Sequence, residues 1–265
     1  MRHLTFTLTA AAIFSLLATL PASALDLAGL NNRNELLLFS DKTPGKARLV
    51  PLTGINGKLL GIDVRPADGI LYGVGSDSTI YTIDTTSGQA TAKSKLSVPL
   101  DSIDHIVVDF NPQADRLRVI GSSGQNLRAN VDTGQTLVDG KLAYRSGDAY
   151  AGKPFGVYAG AYINSYAGAK QTQLFDIDSR NGVYVVQDPP NDGVLRSIGP
   201  TGVKAGIVVE SIDIYTDAKD EYFGFAVAGS SLYRFDVSTG KMSRIGVIGR
   251  GNTAIVDIAV LTKSR

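Results

Sequence analysis

The chain has 265 residues, of which 26 are Lys or Arg and 25 are Asp or Glu, and it contains no Cys. This near-neutral balance, without a basic stripe, excludes proteins that bind nucleic acid through a strongly positive surface. The lack of Cys excludes disulfides, thiolate nucleophiles and zinc sites built on sulfur.

The first predicted element is a cleaved secretory signal at residues 1–24. Arg2 gives the positive start, residues 4–20 are mostly apolar, and Ala22-Ser23-Ala24 forms a small-residue cleavage site. A membrane anchor needs roughly 20 apolar residues, whereas Thr and Ser interrupt this stretch. The protein is therefore expected in the periplasm or outside the cell. Residues 25–265 are expected to form a single domain, with no membrane insertion after cleavage.

A unit of four predicted strands then recurs along the chain. It begins with an apolar–Asp–apolar strand and has a Ser-Gly or Thr-Gly turn before its fourth strand. Each segment is short, rich in β-branched and aromatic residues and bounded by turn residues, which is typical of strands and hairpins. The first copy has strands at 61–66, 70–74, 79–84 and 89–93. The second copy, 46 residues further on, has strands at 107–112, 116–120, 126–132 and 135–138.

Two more copies follow, the first of them more divergent. The divergent copy has strands at 157–163, 172–178, 183–187 and 194–198, and the next has strands at 211–215, 221–227, 232–237 and 241–247. The connection at 164–171 is long and polar, which makes it a candidate interaction loop.

The two ends of the chain supply the remaining strands. The C-terminal end offers only a first strand, at 254–260, and the N-terminal end offers three, around 27–30, 35–39 and 47–52. Repeats of this length with four strands are typical of propeller blades, and a closed ring hides its sheet edges. The sequence predicts an all-β fold, a five-bladed β-propeller of four-stranded antiparallel sheets, closed by a composite blade that joins N- and C-terminal strands.

Several motifs also resemble a known family. They are Gly61-Ile62-Asp63-Val64-Arg65-Pro66, Asp109-Phe110-Asn111-Pro112, Gln125-Asn126-Leu127-Arg128-Ala129-Asn130 and Gln187-Asp188-Pro189-Pro190-Asn191-Asp192-Gly193. Together they are similar to bacterial exported proteins that carry the domain of unknown function numbered 4394. The resemblance covers essentially the whole mature chain and implies a propeller-like fold and export. It implies no established activity and no catalytic residues.

Four carboxylates are the candidate metal ligands, because each follows the same apolar–Asp–apolar pattern in the first strand of a blade: Asp63, Asp109, Asp213 and Asp257. That strand borders the channel of a propeller, where converging carboxylates would suit Ca²⁺. The interpretation that we favour is structural, with each Asp accepting hydrogen bonds from backbone N–H groups. Apart from this Ca²⁺ alternative, no cofactor is expected.

Other polar residues give weaker signals. His105 is the one His outside the signal, and no G-x-S-x-G motif accompanies it, so nucleophilic hydrolysis is not favoured. Arg116, Arg118 and Arg128 alternate with apolar residues and would clamp an anionic ligand. We favour their pairing with Asp115 or Asp132 on a solvated strand face.

Two functions fit these features. The first is a non-enzymatic binding or scaffold module that presents loops to a protein or glycan partner as a monomer. The second is a metal-dependent, lactonase-like hydrolase that uses the channel carboxylates and a metal-activated water. The sequence leaves open whether the protein is an enzyme.

Overall fold

The computed structural model describes residues 24–204 and 206–262. Residues 1–23 of the predicted signal lie outside the described residues. Within the described ranges, none of the helical segments has the length and apolar character needed to cross a bilayer. These ranges form 21 strands in five sheets, with two short 3₁₀ turns at Pro44–Lys46 and Pro190–Asp192.

The two ends of the chain share one sheet, the composite blade. Its strand order is β21-β1-β2-β3, and all its neighbours are antiparallel. The strands are β1 (Asp26–Asn31), β2 (Glu35–Ser40), β3 (Arg48–Pro51) and β21 (Ile255–Val260). Leu27 pairs with Val260, and Leu30 pairs with Asp257. The ring is thus closed by strand pairing between residues more than 200 positions apart.

Blades 1, 2 and 4 are four-stranded meanders in sequence order. Blade 1 contains β4 (Leu59–Val64), β5 (Leu71–Gly75), β6 (Thr79–Ile83) and β7 (Ala90–Lys95). Blade 2 contains β8 (Ile106–Asn111), β9 (Arg116–Gly121), β10 (Asn126–Ala129) and β11 (Thr136–Val138). Blade 4 contains β17 (Ser211–Thr216), β18 (Tyr222–Ala228), β19 (Ser231–Phe235) and β20 (Met242–Val247).

Blade 3 has a fifth strand that the sequence pattern did not predict. Its meander contains β13 (Val157–Tyr162), β14 (Leu174–Asp178), β15 (Val183–Gln187) and β16 (Val194–Pro200). The segment before it contributes β12 (Ala143–Tyr144), which pairs in parallel with β16. This added strand covers the outer edge of blade 3.

The hydrophobic core lies between the blades. Five buried apolar clusters are present in the described ranges, one at each junction between neighbouring blades. For example, Tyr72 of blade 1 packs edge-on against Phe110 of blade 2, with ring centroids 5.4 Å apart. Successive side chains of a strand point to opposite faces of the sheet, and a sheet in a ring of blades buries both faces. Each strand therefore contributes apolar side chains to the junctions on both sides of its blade.

The repeated glycine before the fourth strand has a packing reason. Gly88, Gly134 and Gly240 have φ values of 77°, 76° and 74°, a region that favours glycine. Each also lies against the preceding blade: a Cβ at Gly134 would lie 2.0 Å from the carbonyl oxygen of Lys95. The turn that recurs in the sequence is therefore a contact between blades.

The predicted fold is confirmed. The structure has five blades, and its composite blade joins three N-terminal strands to one C-terminal strand. The predicted strands of the divergent copy are also present, in the predicted order.

Candidate functional site

The first strands of the blades, β4, β8, β13, β17 and β21, pack against one another in that order around the channel. Their C-terminal ends meet at one mouth of the channel. A cavity of about 260 Å³ lies at this mouth. We call it the channel-mouth pocket, and it is lined by residues 63–64, 66–69, 165–167, 213–215, 260 and 262.

Three of the four predicted carboxylates come together beneath this pocket. One carboxylate oxygen from each of Asp63, Asp109 and Asp213 lies within 4.8 Å of the other two, and all three residues are buried. Asp63 and Asp213 also line the pocket. We call these three residues the carboxylate cluster.

Each member of the cluster accepts a backbone N–H from the next blade. Phe110 donates to Oδ2 of Asp63 at 2.7 Å, Tyr162 donates to Oδ1 of Asp109 at 2.9 Å, and Val260 donates to Oδ2 of Asp213. Two members also accept from their own strand, since Val64 donates to Asp63 and Ile214 donates to Asp213. Among the described residues, none donates to Oδ2 of Asp109.

The same hydrogen-bond pattern identifies the other positions of this layer. Each backbone donor comes directly after the channel-facing residue of its strand. In β8, for example, the donor Phe110 follows Asp109, and the donors in β13 and β21 are Tyr162 and Val260. The corresponding residues are therefore Ala161 in β13 and Ala259 in β21. Blade 3 and the composite blade contribute methyl groups, and the cluster has three carboxylates in place of five.

Asp257 lies outside the cluster. It precedes Ala259 by two residues, on the same face of β21 but farther from the pocket. Its Oδ2 accepts the N–H of Ile62 in blade 1 at 2.6 Å, and its Oδ1 accepts the hydroxyl of Ser211. The four Asp residues therefore lie on equivalent faces of their strands, as the sequence predicts. Asp257 differs in register, because it lies two residues before the position that matches the other three.

Burial raises the pKa values of these carboxyl groups. The pKa of Asp63 is well above its usual value because of burial and the nearby Asp213, and that of Asp109 is raised by burial and by Asp63. Burial raises the pKa of Asp213 to about 6, against the opposing effect of its two backbone N–H donors. Burial also raises the pKa of Asp257 to about 8.

This geometry restricts the charge that the cluster carries alone. Three ionised carboxylates at such short separation in a buried site repel one another, so the cluster either retains protons or binds a cation. Carboxylate oxygen is the ligand that Ca²⁺ and Mg²⁺ prefer. Each oxygen that already accepts one N–H retains a second lone pair for a metal.

The walls of the pocket come partly from loops. The 66–69 turn follows β4, and residues 165–167 belong to the long connection after β13, so the predicted interaction loop does reach the pocket. The turn and Thr262 were not singled out by the sequence, because nothing in their local pattern shows that they face the channel.

Two arginines of blade 2, Arg118 and Arg128, have partners other than the predicted ones. Arg118 is buried, and its guanidinium donates to Asp139 at 2.6 Å, Asn126 at 2.8 Å and Asn191 at 2.8 Å. Arg128 also pairs with Asp139, whereas Asp115 and Asp132 pair with Arg65. Arg118 lies at the junction of blades 2 and 3, so it is neither on a solvated face nor open to a ligand.

His105 lies away from the carboxylate cluster. It immediately precedes β8, at the N-terminal end of the channel strands, and its Nδ1 lies 2.9 Å from Oε2 of Glu210. The Arg65 side chain is likewise occupied, by Asp115 and Asp132. Neither residue belongs to the lining of the channel-mouth pocket.

Two of the solved structures that match this chain come from bacteria. A protein of unknown function from Bacteroides thetaiotaomicron VPI-5482 matches with a TM-score of 0.53 and 16% sequence identity, over 91% of this chain and 66% of that chain. Another protein of unknown function, from Bacteroides caccae, matches with a TM-score of 0.45 and 13% identity, over 84% of this chain and 73% of that chain. This chain thus spans just under two thirds of the length of the first of these proteins.

None of the curated proteins matches this chain. The family model described as "Domain of unknown function (DUF4394)" matches residues 35–259, which reach from β2 in the composite blade to β21. The match therefore includes all four complete blades and the carboxylate cluster. The chain belongs to the DUF4394 family.

Proposed function

We propose that this protein is a non-enzymatic binding module, exported from the cell and monomeric, whose ligand site is the channel-mouth pocket with Ca²⁺ at its floor. The observation that carries this proposal is the convergence of Asp63, Asp109 and Asp213 within 4.8 Å beneath an open cavity. Asp257 takes no part in it.

The separation of the three carboxylates suits Ca²⁺. Its oxygen ligands lie 2.3–2.6 Å from the ion, so two ligands on opposite sides of it are roughly 4.6–5.2 Å apart. The cluster oxygens are no more than 4.8 Å apart, so one ion between them would be within reach of all three. Ca²⁺ takes six to eight oxygen ligands, and three carboxylates supply only part of that number. The remaining positions face the pocket, where water or a ligand would fill them.

The pocket lining favours a neutral polar ligand. Tyr215 and Thr262 supply hydroxyl groups, and no Lys, Arg or His belongs to the lining in the described part of the chain. A sugar offers hydroxyl oxygens that coordinate Ca²⁺ and an apolar ring face that packs against Tyr215. The sequence suggested either a protein or a glycan as the partner, and the lining of the pocket favours the glycan.

Thermal unfolding of mature protein in Ca²⁺ and in chelator tests the Ca²⁺ site. An ion that binds only the folded state stabilises it, by about 2.7 kcal/mol at 100 times its Kd. Asp109→Asn should abolish the difference, because it removes the carboxylate that has an unoccupied oxygen. Asp176→Asn is the matched control, since Asp176 is equally buried but outside the cluster. An unchanged melting temperature in wild type would contradict the proposal.

Export is tested separately. Leu25 should be the first residue of protein recovered from the periplasm or the medium. N-terminal sequencing measures this directly. Recovery of an intact Met1 in the cytoplasmic fraction would contradict export without bearing on the Ca²⁺ site.

The second candidate function is a metal-dependent hydrolase of the lactonase type. The observation that favours it is the open cavity over the cluster, which leaves room for water and substrate beside a bound ion. It ranks second because the described lining offers no His or Lys as a proton carrier. Turnover of lactone or ester substrates that needs Ca²⁺ and disappears in Asp109→Asn would establish it. Stabilisation by Ca²⁺ without turnover would favour the binding module.

A further inference from the structure

The channel mouth opposite the pocket is crossed by a contact between blades that are not neighbours. His105 immediately precedes β8 of blade 2, and Glu210 immediately precedes β17 of blade 4. His105 Nδ1 and Glu210 Oε2 are 2.9 Å apart. Blade 3 lies between these two blades in the ring, because β13 packs against both β8 and β17.

Blade 3 contributes an aromatic ring to the same contact. Tyr158, near the start of β13, stacks on the imidazole of His105 with centroids 4.2 Å apart and an interplanar angle of 21°. One imidazole therefore contacts three consecutive blades. Such a stack is stronger when the imidazole is protonated, because a cation is attracted to the face of an aromatic ring.

The charged groups around His105 favour its protonated form. Glu210 faces it from the segment before β17, Asp104 is its neighbour in sequence, and Tyr158 covers one ring face. The imidazole is only partly exposed, at 36% of its side-chain area. In agreement with this arrangement, the hydrogen bond to Glu210 raises the pKa of His105 above its usual value, although partial burial opposes the shift.

We propose that His105, Glu210 and Tyr158 form a proton-dependent latch that ties blades 2, 3 and 4 together at the N-terminal mouth of the channel. The latch is closed while His105 is protonated. When His105 loses its proton, the ion pair is replaced by a weaker hydrogen bond from the neutral imidazole to the Glu210 carboxylate, and the ends of β8, β13 and β17 gain freedom. This inference is independent of Ca²⁺ binding at the opposite mouth.

NMR of mature protein, residues 25–265, tests the latch without ambiguity of assignment, because His105 is its one His. Wild type should titrate above 6.5, and Glu210→Gln should lower that midpoint by at least half a pH unit. Glu221→Gln is the matched control, since Glu221 is exposed and lies in another part of blade 4. A wild-type midpoint at or below 6.5, or one that Glu210→Gln leaves unchanged, would overturn the proposal.

Amide hydrogen exchange supplies a second readout that a merely structural contact would not give. After correction for the intrinsic exchange rate, protection at the starts of β8, β13 and β17 should fall at least threefold as pH rises through the midpoint. In His105→Gln, protection there should be low at every pH, while the C-terminal ends of the same strands stay protected. Protection that is independent of pH in wild type would also overturn the latch.

Discussion

A carboxylate on the channel face of a blade stabilises the junction with the following blade. Asp63, Asp109 and Asp213 each accept a backbone N–H from the next first strand, and Asp257 does the same from a deeper layer. A buried carboxylate that accepts backbone N–H groups recovers part of its desolvation cost. All four residues thus accept a backbone N–H from the following blade. This is compatible with a cation, since the accepted bonds leave lone pairs free.

Asp176 is the buried carboxylate for which the structure provides no such compensation. Both of its oxygens are buried and accept no hydrogen bond in the described part of the chain. One oxygen lies against Gly160, where an added Cβ would come within 2.2 Å of it. Burial raises the pKa of Asp176 to about 8, and the charge of Arg118 opposes that shift.

Asp176→Asn should therefore remove a pH dependence of stability. The folded pKa of about 8 exceeds the usual 3.8, so the folded state binds a proton that the unfolded state releases between these values. The free energy of unfolding of wild type should fall as pH rises from 4 to 8, by at most about 1.4 kcal/mol per unit from this group. The variant should lose the share of the slope that Asp176 contributes, while Asp257, whose pKa burial also raises to about 8, keeps its own share. Urea unfolding at pH 5 and pH 8 measures it.

The control for this change is Asp192→Asn, which neutralises an exposed carboxylate in the turn before β16. It should retain the wild-type slope. Parallel curves for wild type and Asp176→Asn would show that Asp176 does not hold a proton in the folded state.

Arg118 should be the most sensitive basic residue of blade 2. Its side chain is 1% exposed and joins Asn126 and Asp139 to Asn191 of blade 3. Arg118→Met leaves these acceptors without their donor, a loss that typically costs about 3–5 kcal/mol. Arg116→Met, two residues earlier on the same strand, should change stability by under about 1 kcal/mol. Chemical unfolding of the two variants checks this contrast, and equal losses would contradict it.

At the scale of elements, the recurring turn glycine sets how closely two blades approach. Gly134→Ala introduces a methyl group where the carbonyl of Lys95 already lies, in addition to an unfavourable φ. Gly147→Ala has the same unfavourable φ, but no atom lies within 4 Å of the new Cβ. The positive φ should cost about 1–2 kcal/mol in both variants.

The difference between the two variants should report the contact alone. Gly134→Ala should be less stable than Gly147→Ala by about 1–3 kcal/mol, a loss that is typical of overpacking. Thermal or urea unfolding measures both. If the two variants are equally stable, the blades have enough freedom to separate, and the turn glycine is needed only for its backbone conformation.

The sequence predicts most of the strands because their signals are local. Alternation and turn residues within a window of about ten residues are enough to place β4 to β7 and β8 to β11. These local signals do not predict β12. It has two residues, and its partner in β16 lies about 50 positions away, where Val194 pairs with Ala143. A parallel pair of this kind leaves no periodic pattern in either segment.

At the scale of the whole molecule, the ring depends on one strand from the C-terminal end. β21 pairs with β1 and packs against both β4 and β17. Its loss would expose the edge of β1 and two interblade clusters, to which Ile255, Ile258 and Ala259 contribute. A protein ending at Asn252 should therefore lose its cooperative unfolding transition.

A peptide of residues 253–262 should restore that transition, because strand addition to an open sheet edge supplies main-chain hydrogen bonds and apolar contacts together. Calorimetry with and without the peptide is the measurement. A shortened protein that unfolds at the wild-type temperature would show that the ring does not need β21.

The composite blade could be predicted, and the register of its carboxylate could not. The apolar–Asp–apolar pattern of 254–260 identifies a first strand and its channel face. A shift of two residues leaves the same side chains on the same face, so the pattern fits Asp257 and Ala259 equally well at the cluster position. Only the pairing of Leu27 with Val260 and Leu30 with Asp257 decides between them. The burial of Arg118 was missed for a similar reason, since alternation does not show whether a blade's second face is covered.

The closure of the ring also determines where additions to either end would lie. The N–H of Asp26 donates to the hydroxyl of Thr262 at 2.8 Å, and Thr262 lines the channel-mouth pocket. An affinity tag or fusion partner that precedes Asp26 or follows Thr262 would therefore start at the rim of that pocket and compete with its ligand. A tag inserted at the open turn of Gly147, beside blade 3, would leave the rim clear.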